Sequence, residues 1–96
     1  MKDINLIIEK VKERFPELEV EQLKTKFPAD DDGLWYFYLP KARWVHIESP
    51  YGMCPFIIET DRQNALNARK ADTIDEVVEM IIEDFEFQLS QKYFGN

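Results

Sequence analysis

The residues best suited to chemistry lie in one stretch, from Gly33 to Thr60, which holds the only histidine and the only cysteine of the chain. A histidine can activate a cysteine thiolate, but only within hydrogen-bond reach and in an electropositive setting. His46 and Cys54 fall on adjacent predicted strands in positions that point to opposite faces. Cysteine is also among the residue types most often buried. The sequence therefore predicts no catalytic pair.

The sequence also lacks the motifs that bind metals and phosphates. Zinc sites need four ligands, which one cysteine and one histidine do not supply. The run from Asp30 to Gly33 is acidic, yet it lacks the alternating ligands and final bidentate glutamate of a calcium loop and is typical of a solvated turn. The few glycines lie too far apart for a phosphate loop. We expect no metal, no cofactor and no enzyme activity.

Size and charge narrow the class of partner. The 96 residues suit a single domain, residues 1–96, and 19 acidic against 12 basic side chains give a net charge of −7. Because lysines and arginines form no cluster, nucleic acid and anionic membranes are poor partners, whereas a basic protein would be attracted. The chain has no apolar run of the roughly 20 residues that a membrane span needs and no signal-peptide pattern, and its single cysteine suits a reducing compartment. We expect a cytoplasmic location.

Three strands are predicted at the centre of the chain. Leu34–Leu39 is an unbroken aromatic and aliphatic run, too short for a typical helix, and Pro40 ends it. Residues 44–48 alternate between apolar and polar or amphipathic side chains. After a turn signal at residues 49–52, Cys54–Thr60 forms the third strand.

The length of the second turn fixes how the second and third strands share a face, because a one-residue slip inverts a strand. Pairing Ser49 with Cys54 across a four-residue loop sets Ile47 opposite Phe56 and Val45 opposite Ile58. That register gives one consistently apolar face, and we expect it.

The first turn allows two registers. A four-residue loop would add Tyr36 and Tyr38 to the apolar face, whereas a three-residue loop or a bulge would add Trp35, Phe37 and Leu39. We prefer the second, because it separates aliphatic from amphipathic side chains. The opposite face, which we call the aromatic face, then carries Tyr36, Tyr38, Trp44, His46, Glu48, Ile57 and Glu59.

A helix is predicted at each end of the chain. Asp3–Phe15 has an apolar stripe, with Asp3 as its N-cap, and Pro16 stops it. Thr73 opens a second helix with a capping box to Glu76, and an apolar stripe follows over four turns opposite an acidic side. The segments between are less distinct.

Residues 17–27 fit either a short helix or a strand, and we favour a strand that leads through a hairpin loop into Leu34. Asp61–Asp72 is polar and is predicted to be a loop, with at most one helical turn. The predicted fold is therefore an α+β two-layer sandwich, in which both helices pack on one face of a three- or four-stranded antiparallel sheet. The aromatic face is left without a helix.

The leading hypothesis is a non-enzymatic protein-binding module that uses the aromatic face against a basic protein or its own copy, because tyrosine and tryptophan are enriched in contact surfaces. In size and charge the chain is similar in general character to bacterial immunity proteins and secretion chaperones, a similarity that covers no motif and transfers no residue role. The rival is a small-molecule binder or small enzyme with a shallow pocket formed by His46, Tyr36, Tyr38 and Glu48. A third interpretation is an inert domain whose aromatic residues pack against the second helix. Base stacking on the aromatic face is opposed by Glu48 and Glu59.

Overall fold

The computed structural model describes residues 2–23, 33–49, 52–60 and 69–94. This part of the chain contains two helices and five strands, in the order α1 (Asp3–Arg14), β1 (Glu19–Leu23), β2 (Leu34–Tyr38), β3 (Val45–Glu48), β4 (Phe56–Thr60), β5 (Arg69–Ala71) and α2 (Ile74–Phe94). The strands form one antiparallel sheet in the order β1-β2-β3-β4-β5. The α+β class is confirmed, but the sheet has five strands rather than three or four.

The fifth strand lies in a segment predicted to be a loop. Within Asp61–Asp72, the short strand β5 pairs with β4 and sets Ala71 opposite Phe56. Only the alanine of β5 is buried, and the other two residues are charged. Three residues are too few to give a recognisable alternating pattern, which is why the prediction of a loop was wrong for Arg69–Ala71, whereas residues 61–68 lie outside the described residues.

The strand that we favoured in the ambiguous segment is confirmed over Glu19–Leu23, where β1 pairs with β2 at the edge of the sheet. Residues 24–32, including the acidic run, lie outside the described residues.

The preferred register of the first turn is confirmed. Trp35 lies opposite Ile47 and Phe37 opposite Val45, and all of these side chains are buried. Tyr36 and Tyr38 therefore point to the other face, because successive side chains alternate across a strand.

The predicted register of the second turn was wrong by two residues. Ile47 lies opposite Ile58 rather than Phe56, and the third strand begins at Phe56 rather than Cys54. Pro55 has no N–H to donate, so the ladder starts after it. A shift of two residues leaves every side chain on its predicted face.

One face of the sheet and the apolar stripes of both helices form a single core. The rings of Phe15 and Phe85 meet edge to face with their centroids 5.7 Å apart, joining α1 to α2. The buried apolar side chains are Ile4, Ile7, Val11, Leu18, Trp35, Phe37, Leu39, Val45, Ile47, Phe56, Ile58, Ala71, Val77, Ile81 and Phe85.

The two helices begin in different ways. The capping box of α2 is confirmed, because the Thr73 N–H donates to Glu76 Oε1 and the Glu76 N–H donates to Thr73 Oγ1, each over 3.1 Å. Asp3, predicted to cap α1, is instead its first residue, and Lys2 occupies the N-cap position. The Asp3 carboxylate accepts the N–H of Cys54 over 2.9 Å, so it ties the helix to the chain before β4.

Glycine is required where α1 meets the sheet. Gly52 has a φ of +72°, in the left-handed region, and a Cβ there would lie 3.0 Å from Ile4 Cγ2. The Ile4 N–H donates to the Gly52 carbonyl over 2.9 Å. The chain before β4 thus approaches α1 more closely than a side chain would allow.

A buried polar connection links α2 to the turn between β2 and β3. The side chain of Asp84 is fully buried, and its Oδ2 accepts a hydrogen bond from Gln88 Nε2 over 2.6 Å. Gln88 Oε1 in turn accepts the N–H of Arg43 over 2.5 Å. Buried polar groups of this kind are costly unless they are paired, so each member depends on the others.

Replacing Asp84 with alanine should lower the free energy of unfolding by about 2 kcal/mol, because the Gln88 amide would lose a buried acceptor. Urea unfolding with an unchanged m-value would measure the loss. The matched control is Glu83→Ala, an exposed neighbour on the same helix, for which we expect a change within about 0.5 kcal/mol. Equal effects of the two substitutions would mean that the buried connection contributes nothing specific.

Candidate functional site

The structure brings all the residues predicted for the aromatic face together on the sheet face opposite the helices. The strand register gives this placement directly for residues in β2, β3 and β4, and ring contacts give it for Trp44, which precedes β3. Neither of the helices in the described part of the chain contributes to this face. Six of the seven side chains are half-buried, and Glu48 is exposed.

Four rings form a compact group that we call the aromatic cluster: Tyr36, Tyr38, Trp44 and His46. Trp44 and His46 stack with centroids 5.0 Å apart and planes 13° apart, and Tyr36 stacks on Tyr38 at 6.1 Å. The two stacks meet nearly at right angles, with the Tyr36 ring edge-on to His46 at 5.2 Å. Each ring is therefore held by at least one neighbouring ring.

Glutamates border the aromatic cluster on both sides. On β1, Glu19 lies opposite Tyr38 and Glu21 opposite Tyr36. On the other side, Glu59 lies opposite His46, as the register of β3 with β4 requires. Glu19 and Glu21 were not predicted for this face, because a segment that fits either a helix or a strand does not assign its side chains to a sheet face.

Two of these carboxylates accept hydrogen bonds from the aromatic cluster. The Tyr38 hydroxyl donates to Glu21 Oε1 over 3.3 Å. Burial and then the charge of Glu21 raise the pKa of Tyr38 above its ordinary value, so the hydroxyl remains a donor. The second contact joins His46 Nε2 to Glu59 Oε1. Both contacts fix the direction in which a ring points.

His46 is largely covered, although its side chain lies on the sheet face opposite the helices. Only 15% of its side chain is accessible, against 23% for Glu59. Its Nδ1 atom is buried and has no hydrogen-bond partner in the described structure. Because a carboxylate only accepts, neutral His46 carries its proton on Nε2 and leaves the Nδ1 lone pair unpaired.

Cys54 and His46 do not form a catalytic pair in this structure. Cys54 packs against the core next to α1, whereas His46 lies on the aromatic face. Burial, followed by the charge and hydrogen bond of Asp3, raises the pKa of the Cys54 thiol to about 11. At neutral pH the thiol is therefore protonated and a poor nucleophile.

Within residues 2–23, 33–49, 52–60 and 69–94, no group of three or more His, Cys, Asp and Glu side chains is arranged to hold a metal ion. The run Asp30–Asp32 falls outside those ranges. Neither described helix combines the length and apolar character needed to cross a bilayer.

Comparison with known proteins gave no relative: no family model, no curated protein and no solved structure matches the chain.

The Glu59 contact predicts that neutral His46 is the Nε2–H tautomer. Long-range ¹H–¹⁵N correlation spectra report the tautomer directly, and the single histidine of the chain makes the assignment unambiguous. Glu59→Ala should shift the ring towards a mixture of tautomers, while Glu48→Ala on the same face should leave it unchanged. A wild-type Nδ1–H tautomer would contradict the hydrogen bond to Glu59.

The raised pKa of Cys54 predicts slow alkylation. With iodoacetamide the rate should rise about tenfold per pH unit from pH 7 to 9 without levelling, because thiolate forms only near pH 11. The urea-unfolded chain should react more than a hundredfold faster at pH 7. Its alkylation rate should stop rising with pH near the free-thiol pKa of about 8.5. Asp3→Asn keeps a hydrogen-bond acceptor but removes the charge, so the folded variant should be alkylated severalfold faster than the folded wild type. Full reactivity at pH 7 would contradict this environment.

Proposed function

We propose that this protein is a small non-enzymatic binding module that contacts another protein through the aromatic face. The observation that carries the proposal is the aromatic cluster, whose stacked rings lie half-buried on the sheet face opposite the helices. Tyrosine and tryptophan supply large contact areas with a polar group at the edge, and they are enriched among the residues that dominate protein interfaces.

The chemistry of the site supports binding rather than catalysis. One nitrogen of His46 is occupied by Glu59, and the other is buried. The Cys54 thiol has a raised pKa and lies on the other side of the sheet. A general base must reach the proton it abstracts, and a cysteine nucleophile must ionise. Neither residue meets its requirement, so a pocket enzyme at His46 is the weaker candidate.

We further propose that the module is cytoplasmic, because its single cysteine is a free thiol and suits a reducing compartment. The aromatic face has two candidate occupants, a different protein or a second copy of this chain. Light scattering at two protein concentrations and two salt concentrations separates them. A mass that doubles with concentration, and that Trp44→Ala returns to the monomer, identifies self-association.

Replacing Trp44 with alanine should weaken partner binding at least tenfold while the protein stays folded, because the residue stacks within the cluster but lies outside the core. The partner would be identified by affinity enrichment from cytosol, purified, and its Kd measured against each variant. Phe87→Ala is the matched control, since Phe87 is also a large apolar residue, 42% exposed, but lies on α2.

Two outcomes would overturn the proposal. If Trp44→Ala unfolds the protein in circular dichroism, the aromatic face is part of the folding core. If Trp44→Ala and Phe87→Ala bind the purified partner with the same Kd as wild type, binding occurs on another surface.

A further inference from the structure

We propose that the occupant of the aromatic face is a basic segment of another protein, which places an arginine side chain against the aromatic cluster between its bordering glutamates. This inference rests on the proposed function and names the chemistry of its partner. The observations that support it are the charges of the face, the geometry of the rings and the repulsion that a second copy would meet.

The aromatic face is strongly acidic. The strand register assigns to it Glu19, Glu21, Glu48 and Glu59. Among the described residues that the register assigns to this face, one is basic: Lys70, which lies opposite Ile57. Its Nζ is 3.7 Å from Asp72 Oδ1, so part of its charge is already balanced. A cationic group approaching the cluster therefore meets an excess of carboxylates.

The arrangement of those carboxylates suits a guanidinium group. Glu19 and Glu48 are both exposed; Glu19 lies opposite Tyr38 on β1, and Glu48 follows His46 by two residues on β3. Glu21 and Glu59 each accept one hydrogen bond from the cluster, and a carboxylate has room for more. Arginine combines a planar face that stacks on aromatic rings with donors that match a carboxylate, so it can use both features at once.

A second copy of the chain fits the same face poorly. A two-fold contact between two aromatic faces would bring the glutamates of one copy against those of the other. The net charge of −7 on each chain adds to the repulsion, and like charges brought together across an interface cost affinity and slow association. The charge pattern therefore favours a basic partner over self-association.

The test is an NMR titration with a defined peptide, acetyl-Gly-Arg-Ser-Arg-Gly-Arg-Ser-amide, and with the same peptide containing citrulline, the neutral analogue of arginine. The signals to follow are the indole N–H of Trp44 and the imidazole of His46. Trp35 is buried on the opposite side of the sheet and serves as an internal reference. We expect saturable shifts at Trp44 and His46, none at Trp35, and at least tenfold weaker binding of the citrulline peptide.

Two double variants with the same change in charge separate the site from the net charge. Glu19→Gln with Glu48→Gln should weaken binding of the arginine peptide at least fivefold. Glu79→Gln with Glu83→Gln, which alters exposed residues of α2, should change the Kd less than twofold. Neither pair includes a carboxylate bonded to the cluster, so the rings should remain in place.

Several results would contradict the inference. Equal binding of the two peptides, equal effects of the two double variants, or no localised shift at Trp44 overturns the arginine assignment. A dimer that Trp44→Ala dissociates would also overturn it and identify a second copy as the occupant. In each case the proposed function still stands if Trp44→Ala weakens binding to the purified partner or to a second copy, and it falls separately if it does not.

Discussion

The pairing of β2 with β3 is the constraint on which both faces of the sheet depend. The run Leu34–Leu39 is apolar or aromatic throughout, so it does not by itself determine which of its side chains are buried. Its partner does, because Val45 and Ile47 alternate with polar and amphipathic residues and set Trp35 and Phe37 beside them in the core. A slip of one residue would bury two tyrosine hydroxyls and expose a tryptophan and a phenylalanine.

The other strands and the helices add side chains to the two faces that this pairing defines. On one side, β4 and β5 add Phe56, Ile58 and Ala71 to a layer that both helices cover. On the other, the same alternation places the glutamates of β1 and β4 beside the aromatic cluster. One pattern of alternation therefore produces an apolar core and an acidic aromatic surface, and neither can change without the other.

The sequence was sufficient to predict an element and its faces where a local signal or a strong alternation existed. Thr73 and Glu76 predict the start of α2 because the two residues satisfy each other, and β3 alternates clearly enough to assign its faces. The sequence was insufficient where contacts with residues distant in the chain determine the role of a side chain. Asp3 resembles a cap, but its carboxylate is used by Cys54, a partner 51 residues away. Asp84 lies in the acidic-rich half of a helix, and its burial is visible only once the fold sets its partner Gln88 against the turn between β2 and β3.

His46 is difficult to explain as a structural residue alone. Its Nδ1 is buried without a partner, which costs stability, and the neighbouring apolar contacts could be made by a phenylalanine without that cost. What histidine adds is a hydrogen bond to Glu59, which orients a carboxylate at the border of the cluster while the ring stacks on Trp44. Rings and carboxylates that are already held in place lose less conformational entropy when a partner binds. A local cost in stability is the kind of departure that proteins accept at functional sites, and at His46 it is consistent with the binding role that we propose for the aromatic face.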